Sequence, residues 1–464
     1  MNRTTPLILA VALFMENMDS TIIATSLPAI ATDIGTTPIA LKLALTSYLV
    51  ALAIFIPISG WMADRFGAKR IFRAAIAVFM LGSILCACAN SLGFFVIARF
   101  LQGMGGAMMT PVGRLVLVRS TPKSDLVSAM SWLTVPALVG PLVGPPVGGF
   151  ITTYLTWHWI FLINVPIGIA GIWLATRFLP ETPPTETPPL DRPGFILSGI
   201  AASGVVFGLS VASLPAVPVS VGVITMIIGL VSGVLYLRHA RTAAHPLLRL
   251  SLFENRVFRA AVFGGSLFRI GIGAVPFLLP LMLQIGFGLT PFQSGSITAI
   301  SALGAMGMKF ITNWIFKTAG FKTVLTLGSL IAAATVAVYG LLTPATPFAV
   351  MLLILFIGGV IRSMFFTGVN ALAYADVPAA DTSAATPITA VFQQISIALG
   401  VAVAGGVLEI CTQIRGSGLT IADFHTAFYV VAAISASAAI FFVGLPANAG
   451  SAVTGRGKES SKAR

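Results

Sequence analysis

Gly60-Trp61-Met62-Ala63-Asp64-Arg65-Phe66-Gly67-Ala68-Lys69-Arg70 sets an acid and three cations, with Arg73 close behind, between two apolar runs. Residues 43–63 and 74–89 carry no charge. Such a knot cannot lie in hydrocarbon, where each Arg, Lys or Asp costs roughly 2.5–3.5 kcal/mol at a helix centre. It reads as a tight loop at a membrane face, with Gly60 and Gly67 permitting a turn too sharp for a residue with Cβ. Its excess of Lys and Arg puts that face in the cytoplasm.

Composition agrees. Of 464 residues, 57% are hydrophobic and 9% charged, with mean hydropathy +0.98. A soluble chain carries about 25% charged residues, so this is a polytopic membrane protein. The net charge of +13 does not point to nucleic acid, because the cations gather in short loops as the positive-inside rule requires. Cys86, Cys88 and Cys411 form neither a disulfide framework nor a zinc spacing, and the four histidines are scattered. No metal or cofactor is expected. The run from Leu7 to Ile30 is too long for a cleavable signal and carries Glu16 and Asp19.

About 20 residues cross the hydrocarbon core. Fourteen spans follow: 7–31, 42–63, 71–90, 93–117, 126–153, 157–177, 194–214, 217–237, 260–285, 293–316, 324–342, 347–372, 386–410 and 424–445. With the N-terminus inside, most cations fall in cytoplasmic segments and only Lys42 and Arg415 in outer ones. Both ends are therefore read as cytoplasmic. The organisation expected is a six-helix half (1–178), a Pro-rich linker (179–193), two extra helices (194–237) and a linker (238–259) whose 246–253 portion suits an amphipathic interfacial segment. A second six-helix half (260–445) and a basic tail (446–464) complete it. Phe66-Gly67-Ala68-Lys69-Arg70 is faintly echoed by Ala319-Gly320-Phe321-Lys322-Thr323, and duplicated halves around a central site are a transporter plan.

The spacing G-x-x-x-D-R-x-G-x-x-R, carried by Gly60, Asp64, Arg65, Gly67 and Arg70, resembles the loop between helices 2 and 3 of major facilitator superfamily transporters. Three further stretches resemble the fourteen-helix drug:proton antiporters of the EmrB/QacA branch. They are Asp19-Ser20-Thr21 with Leu27-Pro28, Arg99-Phe100-Leu101-Gln102-Gly103, and Trp157-His158-Trp159 through Gly168. Gly140-Pro141, Gly144-Pro145 and Gly148-Gly149 look like the span 5 motif of antiporters. The run Gly105–Arg114 and Gly307-Met308-Lys309 are similar to MdtD-like exporters within that branch. The resemblance implies an all-α major facilitator fold, two six-helix halves plus two inserted helices, and proton-coupled export of amphipathic drugs from a bacterial inner membrane.

The residues themselves support such chemistry. Glu16 and Asp19, three apart, share a helical face. An intramembrane acid is neutral, paired or in a water-filled cavity, and marks a functional site by default. Asp19 is the expected proton carrier. Glu16, nearer the cytoplasmic end, reads equally as a helper or a structural carboxyl. Arg99 is the expected fixed cation acting on Asp19 or another buried acid, while Arg114 snorkels. Glycines at 140, 144 and 148 form a strip for close helix approach, and the prolines are expected to bend the helix. Gln102, Arg269, Arg362, Gln393 and Gln394 are candidates for the substrate cavity. Arg269 is either there or paired with an acid from the other half.

No phosphate-binding loop, metal spacing or soluble domain suggests an enzyme, and without an ATPase motif transport is ion-driven or passive. The expected partners are a small-molecule substrate, protons and the bilayer. A periplasmic adaptor is not readable. The spans hold more cations than acids (Glu16, Asp19, Glu409), so an exporter of an anionic metabolite, such as citrate or a metal-citrate chelate, is the alternative. A non-transporting sensor or scaffold leaves the buried charges without a purpose.

Overall fold

The computed structural model describes residues 4–122, 125–181, 183–378, 381–446 and 448–451. Most of the basic tail expected at 446–464 lies outside these. Fourteen helical passes follow one another: α1 (Thr4–Ile22), α2 (Lys42–Phe66), α3 (Ala68–Ala87), α4 (Leu92–Ser120), α5 (Leu126–Tyr154), α6 (Asn164–Phe178), α7 (Arg192–Ala212), α8 (Val219–Thr242), α9 (Arg256–Leu281), α10 (Pro291–Met308), α11 (Phe321–Tyr339), α12 (Phe348–Ala375), α13 (Thr382–Arg415) and α14 (Ile421–Ser437). Among the described residues, 12 helices are long and apolar enough to cross a membrane. The remaining two passes, α5 and α10, pack on one another.

The deciding loop is tighter than its composition suggests. Helix α2 continues through Asp64, Arg65 and Phe66, and the chain turns at Gly67 alone, with φ 92° and ψ 125°. Gly60 lies inside the helix with nothing near its absent side chain, so it makes no turn. Gly320, between a short helix (Thr312–Ala319) and α11, has φ 76° and ψ 160°. The faint sequence echo is thus a repeated backbone turn, at a φ that favours glycine.

Two halves are built alike. The second helix of each packs against the fifth of the other, α2 on α13 and α5 on α10. Between helices in lipid the hydrophobic effect supplies little, and close van der Waals approach must hold them. Small residues therefore sit at both seams. A Cβ on Gly149 would lie 2.3 Å from the Pro291 oxygen, and one on Gly405 would lie 2.4 Å from Cδ of Lys42. Pro291 and Lys42 are the first residues of α10 and α2, so the two contacts are symmetry mates at one end of the bundle. One apolar core spans both halves there. Towards the Gly67 end each half keeps its own core. The halves are therefore joined at one end and separate at the other.

Several expectations need correction. The first pass is broken: α1 ends at Ile22, a 3₁₀ turn covers Ile23–Thr25, and a short helix covers Leu27–Asp33. The tenth ends at Met308 rather than 316, which leaves Lys309 exposed beyond it instead of inside a span. The 246–253 segment buries one side, Leu248 and Leu252, against Tyr236, Phe258 and Ile388 and exposes Arg249 and Ser251, with Leu252 inside a 3₁₀ turn at Leu250–Glu254. Helices α7 and α8 are full passes, and α7 packs on both α2 and α13, across the seam.

The linker from Leu179 is tied down. Lys69 Nζ donates to the Leu179 oxygen (2.8 Å) and pairs with Glu181 (2.9 Å). The Lys69 amine, by hydrogen bond and charge, holds the exposed Glu181 carboxyl below its ordinary value. Trp61 Nε1 donates to the Pro188 oxygen and Thr185 N to the Asp64 oxygen. At the far end Asp191 caps α7 through Gly194 N (2.9 Å), accepts from Leu247 N (3.0 Å) and bonds His239 Nε2 (2.6 Å). Burial alone would push the Asp191 carboxyl up, but its bonds to His239, Gly194 and Leu247 outweigh burial and hold it below its ordinary value. A depressed carboxyl adds stability above its unfolded value, near pH 4, which is lost as pH falls through the folded value. Asp191→Asn should thus melt below the parent at pH 7, and the two melting temperatures should converge towards pH 3. A constant gap across that range would rule this linkage out.

Candidate functional site

Helix α1 delivers Asp19 into the middle of the N-terminal half, where it is fully buried. Arg99 of α4, also buried, donates from Nη1 to Asp19 Oδ2 at 2.8 Å. Gln102, one turn along α4, donates Nε2 to Asp19 Oδ1 at 2.8 Å and to Ser83 Oγ at 2.8 Å. Asn164, at the start of α6, donates Nδ2 to Asp19 Oδ1 at 2.8 Å. The guanidinium lies 4.4 Å from the Tyr48 ring centre and 5.8 Å from that of Phe161. Asp19 thus gathers three donors from two helices. A charge removed from water this completely is retained only with such partners.

The local sequence explains the assembly. The stripe Arg99, Gln102, Gly103, Gly106 occupies one face of α4. A Cβ on Gly82 would lie 2.5 Å from Gln102 Cα, and one on Gly103 would lie 2.6 Å from the Tyr48 oxygen. The absence of side chains there lets α2, α3 and α4 close around the acid. Glycines 140, 144 and 148 press α5 onto α1 at Asn17, Thr21 and Ile22.

Glu16 is half-buried and accepts from Thr110 Oγ1 at 2.7 Å. It lies on the same helix as Asp19, towards the Gly67 end. Arg114 is exposed. Gln102, a candidate for the cavity, is instead sealed inside the Asp19 cluster with no exposed surface. Asn164, Ser83 and Tyr48 were not singled out by sequence reasoning. The available signal was a polar side chain in an otherwise apolar span.

Between the halves lies a cavity of about 380 Å³, lined by Pro141 of α5 and by Arg269, Pro276, Met306, Lys309, Arg362 and Phe366 of the C-terminal half. A smaller hollow of about 100 Å³ continues along the seam past Thr21, Thr25, Pro145 and Arg362. Arg269 donates Nη2 to Asn370 Oδ1 at 2.7 Å and stacks 5.0 Å from the Phe366 ring centre, while its buried Nε finds no partner. Neither Arg269 nor Arg362 has an acidic partner among the described residues, and no acid lines the cavity. Pairing Arg269 with an acid from the other half is therefore excluded among those residues. Gln393 and Gln394 are half-buried on α13 and line neither hollow.

Three further contacts tie helices together. Asp64 pairs with Arg119 at 2.5 Å, joining the ends of α2 and α4. Arg65 and Arg70 are exposed. At the opposite end Lys42, fully buried, reaches Ser213 Oγ at 2.5 Å and feels the charge of buried Glu409 on α13. Gln284 Nε2, in a π-helical turn ending α9 (Met282–Gly286), donates to the Thr25 oxygen at 2.9 Å. Irregular turns within long helices often mark functional hinges. Here one from each half meets the other. No cluster of His, Cys, Asp and Glu that could hold a metal occurs among the described residues.

Two six-helix halves joined by reciprocal helix contacts, around a buried charge cluster and a seam cavity, define a membrane transporter of the two-bundle type. The profile of the Major Facilitator Superfamily matches residues 9–401, and the chain belongs to that superfamily. It is 36% identical to a protein named for multidrug resistance, MdtD, of Enterobacter sp. (strain 638), over 98% of this chain and 97% of that one. It is 37% identical to the MdtD of Klebsiella pneumoniae subsp. pneumoniae, over 96% and 95%. Among solved structures it resembles a D-xylose-proton symporter, with a TM-score of 0.71 at 16% identity, over 96% of this chain and 98% of that one.

Proposed function

We propose that the protein exports small amphipathic compounds in exchange for protons, by alternating access between its halves, across a bacterial inner membrane with both termini in the cytoplasm. The observation that carries this is the sealed Asp19–Arg99–Gln102–Asn164 cluster beside a cavity at the seam between the halves. A proton on Asp19 would remove the charge that holds Arg99 and weaken its bonds to Gln102 and Asn164, so protonation loosens the cluster. Helix rearrangement and protonation are then linked. Glu16, half-exposed on the same helix, is the relay towards the Gly67 end. The separate cores at that end support a state open to the cytoplasm. The relatives' name supports drugs as substrates, and a mostly apolar cavity with few polar anchors suits them.

A second reading is favoured by Arg269 and Arg362, which line the cavity without an acid. Two such cations select a carboxylated or otherwise anionic substrate. Purified protein in liposomes containing a pH dye separates the readings, with lipophilic cations added first and citrate-like anions second. Proton movement with cations supports drug antiport. Movement with anions alone supports the second reading. No movement with any compound would overturn proton coupling. Arg362→Gln distinguishes them again. For an anion it should raise KM about tenfold or more, the scale of one lost charge-assisted hydrogen bond. For a cation it should leave KM unchanged or lower it.

A further inference from the structure

A second and larger cavity, about 1030 Å³, lies away from the seam and shares no lining residue with the cavity there. Helices α7 and α8 form one wall, through residues such as Val205, Val234 and Leu237. The other wall comes from α9 and α13, through Phe263, Val391 and Ile395. Val234 and Leu237 belong to the outward side of α8, about half exposed. The hollow therefore borders the surface that bilayer hydrocarbon must cover. Space of this size is not left empty, since unfilled walls forfeit their dispersion contacts, and so apolar a lining offers water too few partners. Acyl chains are what the surroundings supply.

The rim has the opposite character. Arg241, Arg249 and Glu254 stand at the end of the bundle that carries the basic loops. Arg249 is tied to Asp381 at 2.6 Å. Arg241 is exposed and makes no ion pair or hydrogen bond among the described residues. Segment 238–259 holds Arg238, Arg241, Arg249, Arg256 and Arg259 against Glu254 as its one acid. Basic pockets between membrane helices at the cytoplasmic face bind anionic headgroups. We infer that this cavity is a binding site for an anionic phospholipid, with its chains between α8 and α13 and its phosphate on Arg241. The bound lipid fills the hollow left between α8 and α13, beside the direct contact of α7 with α13.

The inference rests on the membrane-spanning reading but not on any substrate or coupling ion, and its test reads binding rather than transport. Delipidated protein in detergent is melted with phosphatidylglycerol or with phosphatidylcholine of the same chains. Phosphatidylglycerol should raise Tm and phosphatidylcholine should not. Arg241→Gln should melt like the parent without lipid yet lose most of the phosphatidylglycerol increment. Gly233→Leu, which extends a side chain from the cavity wall where only Ala201 lies near, should lose it entirely. Equal increments from both lipids, or a full increment in Arg241→Gln, would overturn the assignment. So would loss of the increment on adding a transported compound, which would make the cavity a substrate site.

Discussion

Asp19→Asn should reduce substrate-driven proton movement in liposomes to the level of protein-free vesicles. Binding of substrate, measured without a proton gradient, should remain near that of the parent. The cavity residues Pro141, Arg269 and Arg362 belong to a separate set from the Asp19 cluster, which is why binding survives. The loss of coupling alone would not prove proton carriage, because the substitution also has a structural cost. Arg99 is 1% exposed and would lose its one acidic partner. Breaking a buried pair by removing one member costs about 3–5 kcal/mol, so the single variant should melt well below the parent. Asp19→Asn combined with Arg99→Gln removes both charges and should recover most of that stability, since the stranded cation is the larger part of the penalty. The double variant should still fail to couple. Coupled transport retained by either stable variant would remove Asp19 from the proton path.

How much of this was legible in the sequence varied with the kind of information required. Asp19 and Arg99 stand out because a charge inside an apolar run has few explanations. That they meet each other required the fold, since the stripe on α4 gives a face but not the helix it looks at. For the same reason Gln102 was expected in the cavity and lies in the cluster. Ser83 sits in a run read only as uncharged, and Asn164 in a stretch read only for its resemblance to the antiporter branch. Both are small polar residues that sequence alone cannot separate from solvated helix ends. Lys42 shows the reverse error: as the first residue of a span it reads as an outer-loop cation, yet Ser213 and Gly405 enclose it. The glycine strip predicts close approach, and α5 meets α1 closely at Gly140, Gly144 and Gly148. Whether Arg269 faces the cavity or an acid stays open in the sequence, because a span's charge does not say which helix it meets. Turn geometry came through only in part, because Gly67 makes the turn and Gly60 does not.

The glycine seams lead to the other large effect. Gly149→Val should shift the protein towards the conformation open at the end where the halves now join, and should nearly abolish transport. In the joined state the Gly149 Cα faces the start of α10, and a Cβ there would lie 2.3 Å from the Pro291 oxygen and 2.7 Å from Phe292 Cα. Both obstacles are backbone, so rotamer changes offer no relief. Overpacking of this kind costs about 1–3 kcal/mol. In alternating access the seam must open, and in the open state the added methyl groups meet no such wall. The cost therefore falls on one state only and shifts the equilibrium by roughly tenfold to a hundredfold, since 1.4 kcal/mol is a factor of ten. Spin labels on exposed Thr37 and Thr343, in the loops at that end, should report a longer mean distance in the variant. Gly148→Val is the control. Its Cβ would meet the Ile22 oxygen at 2.4 Å, a contact inside the N-terminal half that opening does not relieve. That variant should lose stability without moving the labels. Should both variants lengthen the distance alike, the seam at Gly149 would not be the element that opens.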